Sequence, residues 1–405
     1  MLKVYWFGYG EHAILVEKKR DMIENKLGMK LITIHNRENA DIPWKLETVY
    51  KELKKADIII IPNNYRTQPC KSNNKLTQAM ALGKPIICEP MPAYVSIVQN
   101  KKNAIILNSD SEEEWFNALK LLKEDEKLRK TLSMNALETA KKYNLDDFSK
   151  QWIEALVSLE DSYKAEKYCE LGNIFNFSKD WDNAIQAYQM AANQEYETYL
   201  IQNKYSTWFP NLQLCAIFNS LGKVKEAALA NERALRQSPE NPIVIKNRKL
   251  FKDFLKDSYP KIPKEELKKK DIKEAVAKFN KKIGWCVPNI PDAGTIRIRA
   301  LNVCKKLKEI GYDSEIYSPK KDYDFIIMGK KFYEGDLKLI KYFKSNGKKV
   351  VCDLSEDLLN FTWVTEIITE ADLVICCSTE LTKKVLKINN NALTIEDSTE
   401  QGIYG

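Results

Sequence analysis

The chain has 405 residues, 44% of them apolar, which predicts two to four domains each able to bury a core. Its net charge of +8 comes from 64 Lys and Arg interleaved with 56 Asp and Glu, not from basic clusters with aromatics, so a nucleic-acid groove is not expected. No apolar run reaches the ~20 residues of a membrane span, nine scattered cysteines without a C-x-x-C pair read as free thiols of a reducing cytosol, and two histidines leave no His-rich metal site.

Residues 1–160 alternate strand and helix. The start, MLKVYWFGYGEHA, reads as a first strand and not as a signal peptide. That strand ends in Gly8-Tyr9-Gly10. KLITIH follows near residues 30–35, then the amphipathic ETVYKELKKA and the apolar run DIIIIP at 57–62. A continuous β-branched run predicts a strand buried on both faces of a parallel sheet. A helix NKLTQAMALG (74–83) closes at Gly83, then come the strands KPIICEP (84–90) and AIILN, and two amphipathic helices. The rhythm predicts a Rossmann-like doubly wound sheet.

Residues 161–258 are helical throughout, with a weak internal repeat. Leu171, Gly172, Phe175, Ala184, Tyr188 and Ala191 occupy the small and aromatic positions of a tetratricopeptide unit. Leu214, Cys215, Phe218, Ala227, Ala234 and Pro239 repeat them, with Asn231 at an aromatic position. The register, Leu171 to Leu214, is 43 residues against the usual ~34, which predicts an insertion around EYETYLIQNKYSTWFP. The segment is either a protein-binding or self-association surface or a plain helical spacer. Residues 259–281 read as a charged linker with one solvated helix. From 282 to 405 the βαβ rhythm returns, with strands in KIGWCVP, DSEIY, DFIIMG, KKVVCDL, ADLVICCS and ALTIED. The predicted class is therefore α/β: two Rossmann-like doubly wound parallel-sheet domains, 1–160 and 282–405, separated by an all-α tetratricopeptide-like segment.

The richest chemistry is in Lys71-Ser72-Asn73-Asn74-Lys75, which opens a helix after a loop leaving a buried strand. Free N–H groups and the positive end of the helix dipole make an anion site there. Ser72, Asn73 and Asn74 are capable N-caps, and Lys71 and Lys75 add point charges suited to a diphosphate. The plainer alternative is a capped helix with surface lysines. Gly8, Tyr9 and Gly10 belong to the same candidate phosphate site. His12, just after the Gly8-Tyr9-Gly10 loop, either touches a phosphate or, as expected, faces solvent on a helix, and Glu89 is an outside candidate for a ligand hydroxyl. Tyr94 either lines a sugar or base pocket or anchors its turn.

The run K-S-x-N-K-L-x-x-A-M-A-L-G-K-P-I, followed by P-A-Y and the N-A-I-I-L strand, resembles the donor-binding half of group 1, family 4-like glycosyltransferases of the GT-B fold. Two glutamates of that family, eight residues apart, fall here on Cys70 and Gln78. The resemblance implies that Gln78 still meets a ribose hydroxyl, while Cys70 cannot replace a carboxylate. Residues 282–405 resemble the acceptor-side half, on R-I-R-A-L, G-K-K-V-V-C-D-L and A-D-L-V-I-C-C-S-T-E-L. Arg297, Arg299 and Asp353 are its catalytic candidates. Helical geometry lets only one of the two arginines face the cleft. Glu356 and Asp357 follow Asp353 and serve equally well as a helix-capping cluster.

The resemblance places the halves in reverse order, explained by circular permutation, by complementation between chains, or by a cut from a tandem enzyme. It implies a cytoplasmic or peripheral inner-face transferase, retaining and metal-independent. The expected donor is a UDP- or GDP-sugar with no other cofactor, and the acceptor a glycan or protein. A degenerate scaffold or nucleotide-sugar-binding protein is the alternative, and a nucleic-acid-modifying transferase a weaker one.

Overall fold

The computed structural model describes residues 1–193, 204–263, 272–288, 290, 293–330 and 332–400. Two compact units result: Met1–Gln151 together with Lys281–Gly405, and Trp152–Asn280.

The first unit holds two six-stranded sheets. One comprises β1 (Lys3–Phe7), β2 (Lys30–His35), β3 (Ile42–Pro43), β4 (Ile58–Ile61), β5 (Ile86–Cys88) and β6 (Ile105–Ile106). All its pairings are parallel and its order is β3-β2-β1-β4-β5-β6. The isoleucine run of β4 is buried along its whole length, as its composition predicts. Strand alternation sends Ile59 and Ile61 to one face, packed with Leu76, Ala79 and Met80, and Ile58 and Ile60 to the other, packed with Trp115 and Leu119. The two-residue β3 is too short, and too interrupted by Pro43, to be legible from periodicity. The helix Asn74–Ala81 buries Leu76, Ala79, Met80 and Ala81 completely. It ends at Gly83, whose φ of +62° suits a residue without Cβ.

The other sheet comprises β7 (Ile283–Cys286), β8 (Ser314–Ile316), β9 (Phe325–Gly329), β10 (Lys349–Leu354), β11 (Leu373–Cys376) and β12 (Ala392–Thr394). It is again wholly parallel, in the order β12-β11-β10-β9-β7-β8. Counted from its own first strand this is 2-1-3-4-5-6, against 3-2-1-4-5-6 for the first sheet. Both are doubly wound orders, with switch points beside β1 and β7. The expected strand ALTIED stops at Thr394, and residues 395–400 continue without regular secondary structure, all buried except the partly buried Glu396.

The second unit is helical. Its main helices are the later part of Leu145–Phe177, then Trp181–Ala192, Trp208–Ser220, Val224–Gln237 and Pro242–Leu255. Ala184, Tyr188, Ala191, Leu214, Cys215, Ala227 and Ala234 are buried. A Cβ at Gly172 would lie 2.8 Å from the Tyr188 ring, so that helix contact needs a glycine. Leu171 departs from the pattern at 42% exposed, and Phe175 and Phe218 are only partly buried. Asn231 is buried, and its amide donates to the Val244 carbonyl at 3.0 Å, which lets a polar group stand at an aromatic position. Residues 194–203 of the expected insertion lie outside the described residues, as do 264–271 of the charged linker. Its helix is Ile272–Ala277. No helix of the described residues is long and apolar enough to cross a membrane.

Candidate functional site

Ligands of open α/β sheets gather at the carboxyl edge, where strand order reverses. In the first sheet that point lies between β1 and β4, and Gly8 follows β1. A Cβ on Gly8 would stand 2.5 Å from Lys75 Nζ and 3.1 Å from the Trp6 ring, so the strand end admits the lysine only because residue 8 lacks a side chain. Lys75 Nζ lies 5.1 Å from the Trp6 ring centroid. Burial, and then the charge of Lys71, hold the Lys75 ammonium down to about 7. Lys71 is itself lowered by burial, with Glu356 pulling the other way. Its Nζ is 3.2 Å from His12 Nε2, and His12 is lowered by burial and by both lysines. A neutral imidazole accepting from Lys71 satisfies this geometry. His12 thus joins the cluster instead of facing solvent. No carboxylate of the described residues pairs with Lys75, so three basic groups cluster at a sheet's carboxyl edge. Such a cluster suits an anion of more than one charge.

The start of the helix Asn74–Ala81 departs from expectation. Asn73 is completely buried and does not cap the helix. Its Oδ1 accepts from the Asp397 amide at 3.1 Å, and its Nδ2 donates to Glu396 at 3.4 Å. Gln78 is 1% exposed; its Nε2 donates to the Ser398 carbonyl and its Oε1 accepts from the Glu400 amide at 3.1 Å. Both side chains hold the chain's own residues 396–400, so neither is open to a ribose in this arrangement. Ser72 accepts from the Asn74 amide at 3.4 Å, and Ser72 and Asn74 are partly exposed at the rim.

The same segment occupies the arginines. Arg299 is fully buried and forks onto Asp353 through Nε and Nη2, at 2.9 and 2.6 Å, while Nη1 donates to Asp397 at 2.7 Å and to the Ile395 carbonyl. Burial pushes the Asp353 carboxyl up and the Arg299 charge pulls it down. Arg297 donates to Glu400 at 2.6 Å and lies over the Trp44 ring, and Asn302 donates to the other Glu400 oxygen. The expectation that one arginine faces the cleft and the other turns away is therefore corrected. Both are buried and bind the 395–400 segment, and Asp353 is held by Arg299. The segment Arg297–Leu301 forms a π-turn at the start of the helix.

Tyr94 is 2% exposed inside the first sheet's core, its phenol raised by burial. Glu89 is buried too, accepting from the Asn63 amide at 2.7 Å and from Trp115 Nε1 at 3.0 Å, an internal tie between β4, β5 and a helix. Cys70 packs in the core of the second sheet, and its carbonyl accepts from Ser378 at 2.9 Å. Tyr9 is half exposed beside the pocket, and Gly10 is closed in by Arg37. From the other half, Lys330 reaches Thr295 at 3.0 Å and Glu356 at 2.9 Å, while Asp357 pairs with Lys384. Sequence reasoning missed Glu396, Asp397 and Glu400. The signal was the acidic, strand-free run after ALT, which has no periodicity but three carboxylates.

Residues 30–139 match the family model described as Glycosyl transferases group 1. That stretch contains Lys71, Lys75 and β2 to β6. No curated protein matches the chain. Among solved structures, the Anabaena protein HepE in complex with UDP and glucose is similar at 15% identity and a TM-score of 0.29, over 35% of this chain and 44% of that one. HepE in complex with UDP gives 16% and 0.25 over the same shares. The C-terminal domain of LpcC, a glycosyl transferase group 1 family protein from Francisella tularensis, gives 13% and 0.27 over 35% of this chain and 85% of that one. The chain thus spans less than half the length of HepE.

Proposed function

We propose that the unit built from residues 1–151 and 281–400 is a glycosyltransferase that takes a nucleoside-diphosphate sugar and passes the sugar to a glycan or protein acceptor. The observation that carries this reading is Lys75: a partly buried, carboxylate-free lysine at a sheet switch point, inside the stretch matching the group 1 model and backed by Lys71 and His12. A diphosphate of a UDP- or GDP-sugar supplies the missing negative charge. Departure of the sugar leaves that charge on the diphosphate, where Lys71 and Lys75 stabilise it directly, and this supports a metal-independent route; retention of configuration is carried over from the family resemblance alone. The reversed order of the halves is read as permutation within one chain, since one compact unit contains both. Nine free thiols suit a cytoplasmic setting, and the helical unit is read as a protein-binding surface.

A second reading, nucleotide-sugar binding without turnover, draws on Cys70, Gln78, Arg299 and Asp353 all being engaged in packing or in holding residues 395–400. Calorimetry against UDP, GDP and ADP tests the first step. Binding of one of them by the wild type, and its loss in Lys75→Ala, is the expected result; absence of binding by all three sinks both readings. Release of free sugar from the cognate sugar nucleotide then separates enzyme from binding protein.

A further inference from the structure

A cavity of about 320 Å³ has a lining that does not include Lys71, Lys75 or His12. Lys142, Tyr143, Phe148 and Gln151 line it from the first half, and Thr394 and Glu396 from the second. Its chemistry is unlike that of the anion site. Glu396 is a partly buried carboxyl whose sole hydrogen bond is the 3.4 Å contact from Asn73, and no cation among the described residues pairs with it. Burial and neighbouring Asp397 push that carboxyl up, so it both donates and accepts more readily than an ordinary glutamate. The Tyr143 hydroxyl and the Gln151 amide make no hydrogen bond within the described residues. Two aromatic rings thus sit beside a carboxyl, a phenol and an amide whose hydrogen-bonding capacity is unspent, in a cavity at the lower end of ligand-site volumes.

A doubly charged anion would meet Glu396, and a cation would meet Lys142. A neutral ring bearing several hydroxyls meets neither objection. Its hydroxyls both donate and accept, matching Glu396, Tyr143 and Gln151, while its C–H face rests on Tyr143 or Phe148. We infer that this cavity binds one neutral saccharide unit, at a site separate from the lysine cluster and bridging the two halves of the unit. The inference does not rest on the proposed transferase activity.

The test uses the full chain and saturation-transfer NMR with glucose, galactose, mannose and N-acetylglucosamine, their methyl glycosides, and a trisaccharide of each binder. The expected result is binding with a Kd of about 0.1–10 mM, the range open to a small polar ligand. Gln151→Trp, at an exposed residue of the cavity mouth, should weaken it tenfold or more. E396Q, which keeps the shape and removes the acid, should do the same. Lys75→Ala should leave it unchanged. Tolerance of the methyl glycoside and trisaccharide identifies the end of a glycan as the source, and binding of the free sugar alone identifies a monosaccharide. Absence of binding by every sugar, wild-type affinity in Gln151→Trp, or loss of binding in Lys75→Ala instead would overturn the inference. The last outcome would put the sugar in the cleft and leave the proposed function standing.

Discussion

Replacing Lys75 by methionine should make the ligand-free protein more stable and the anion site useless. The native lysine is held at about 7 against an ordinary 10.5. At 1.36 kcal/mol per pH unit this corresponds to at most about 5 kcal/mol of penalty for carrying the charge when folded. Lys75 keeps partial solvent access, so about 2–4 kcal/mol is the better expectation. Between about 7 and 10.5 the unfolded chain holds a proton that the native state lacks, so wild-type stability rises with pH across that window. Below 7 both states are charged and the whole penalty is present. Methionine matches the length of the stem, packs on Trp6 and does not titrate. The advantage of Lys75→Met over wild type should therefore be largest near pH 6 and shrink steadily towards pH 10. Unfolding by urea at pH 6, 7.5 and 9.5 measures this. Adding the cognate nucleoside diphosphate at about 100 times its Kd should stabilise wild type by about 2.7 kcal/mol and the variant not at all. A variant less stable than wild type at pH 6, or a difference that does not narrow as pH rises, would refute the account of Lys75 as a desolvated, uncompensated charge.

Arg299→Met leaves Asp353 and Asp397 buried without their cation and should cost about 3–5 kcal/mol, read by denaturant unfolding of the full chain. Gln78→Glu restores the carboxylate that the family resemblance expects but sets it against the Ser398 carbonyl. A loss of about 1–3 kcal/mol is expected in thermal melts, with no gain in nucleotide affinity. In Gly8→Ala the new Cβ displaces Lys75 Nζ from its place; anion binding measured by calorimetry should fall at least tenfold while the melting temperature moves far less. Gly172→Ala drives a methyl into the Tyr188 ring and should cost about 1–3 kcal/mol, visible as a lower melting temperature for the helical unit.

The sheets were legible because their strands are short apolar runs bounded by glycine, proline or charge. Ile58–Ile61 and Leu373–Cys376 cannot be mistaken for solvent-facing segments. Lys71 and Lys75 stood out in the sequence as two cations at a polar helix start after a buried strand, and the structure brings them together with His12. Three things were not legible. The burial of Lys75 depends on Gly8 and Trp6, about seventy residues away, which no local pattern conveys. The use of Asn73 and Gln78 depends on residues 396–400, more than three hundred positions later. The burial of both Arg297 and Arg299 depends on Glu400, Asp353 and Asp397, which a helical wheel does not convey. In each case long-range partners decided how the side chain is used.

The clasp on residues 395–400 also sets the order in which this chain can mature. Gln78 meets Ser398 across 320 positions of sequence, and Asn73 meets Asp397 across 324. At ~5–20 residues per second of synthesis, the first sheet waits roughly 15–60 s for these partners. During that interval Cys70 and the buried amides of the helix Asn74–Ala81 face water, while the helical unit between has already been made. Closing so long a loop is slow and exposes apolar surface meanwhile. A ribosome-bound chain of this design therefore depends on whatever shields its first sheet until the last strand and the segment beyond it arrive.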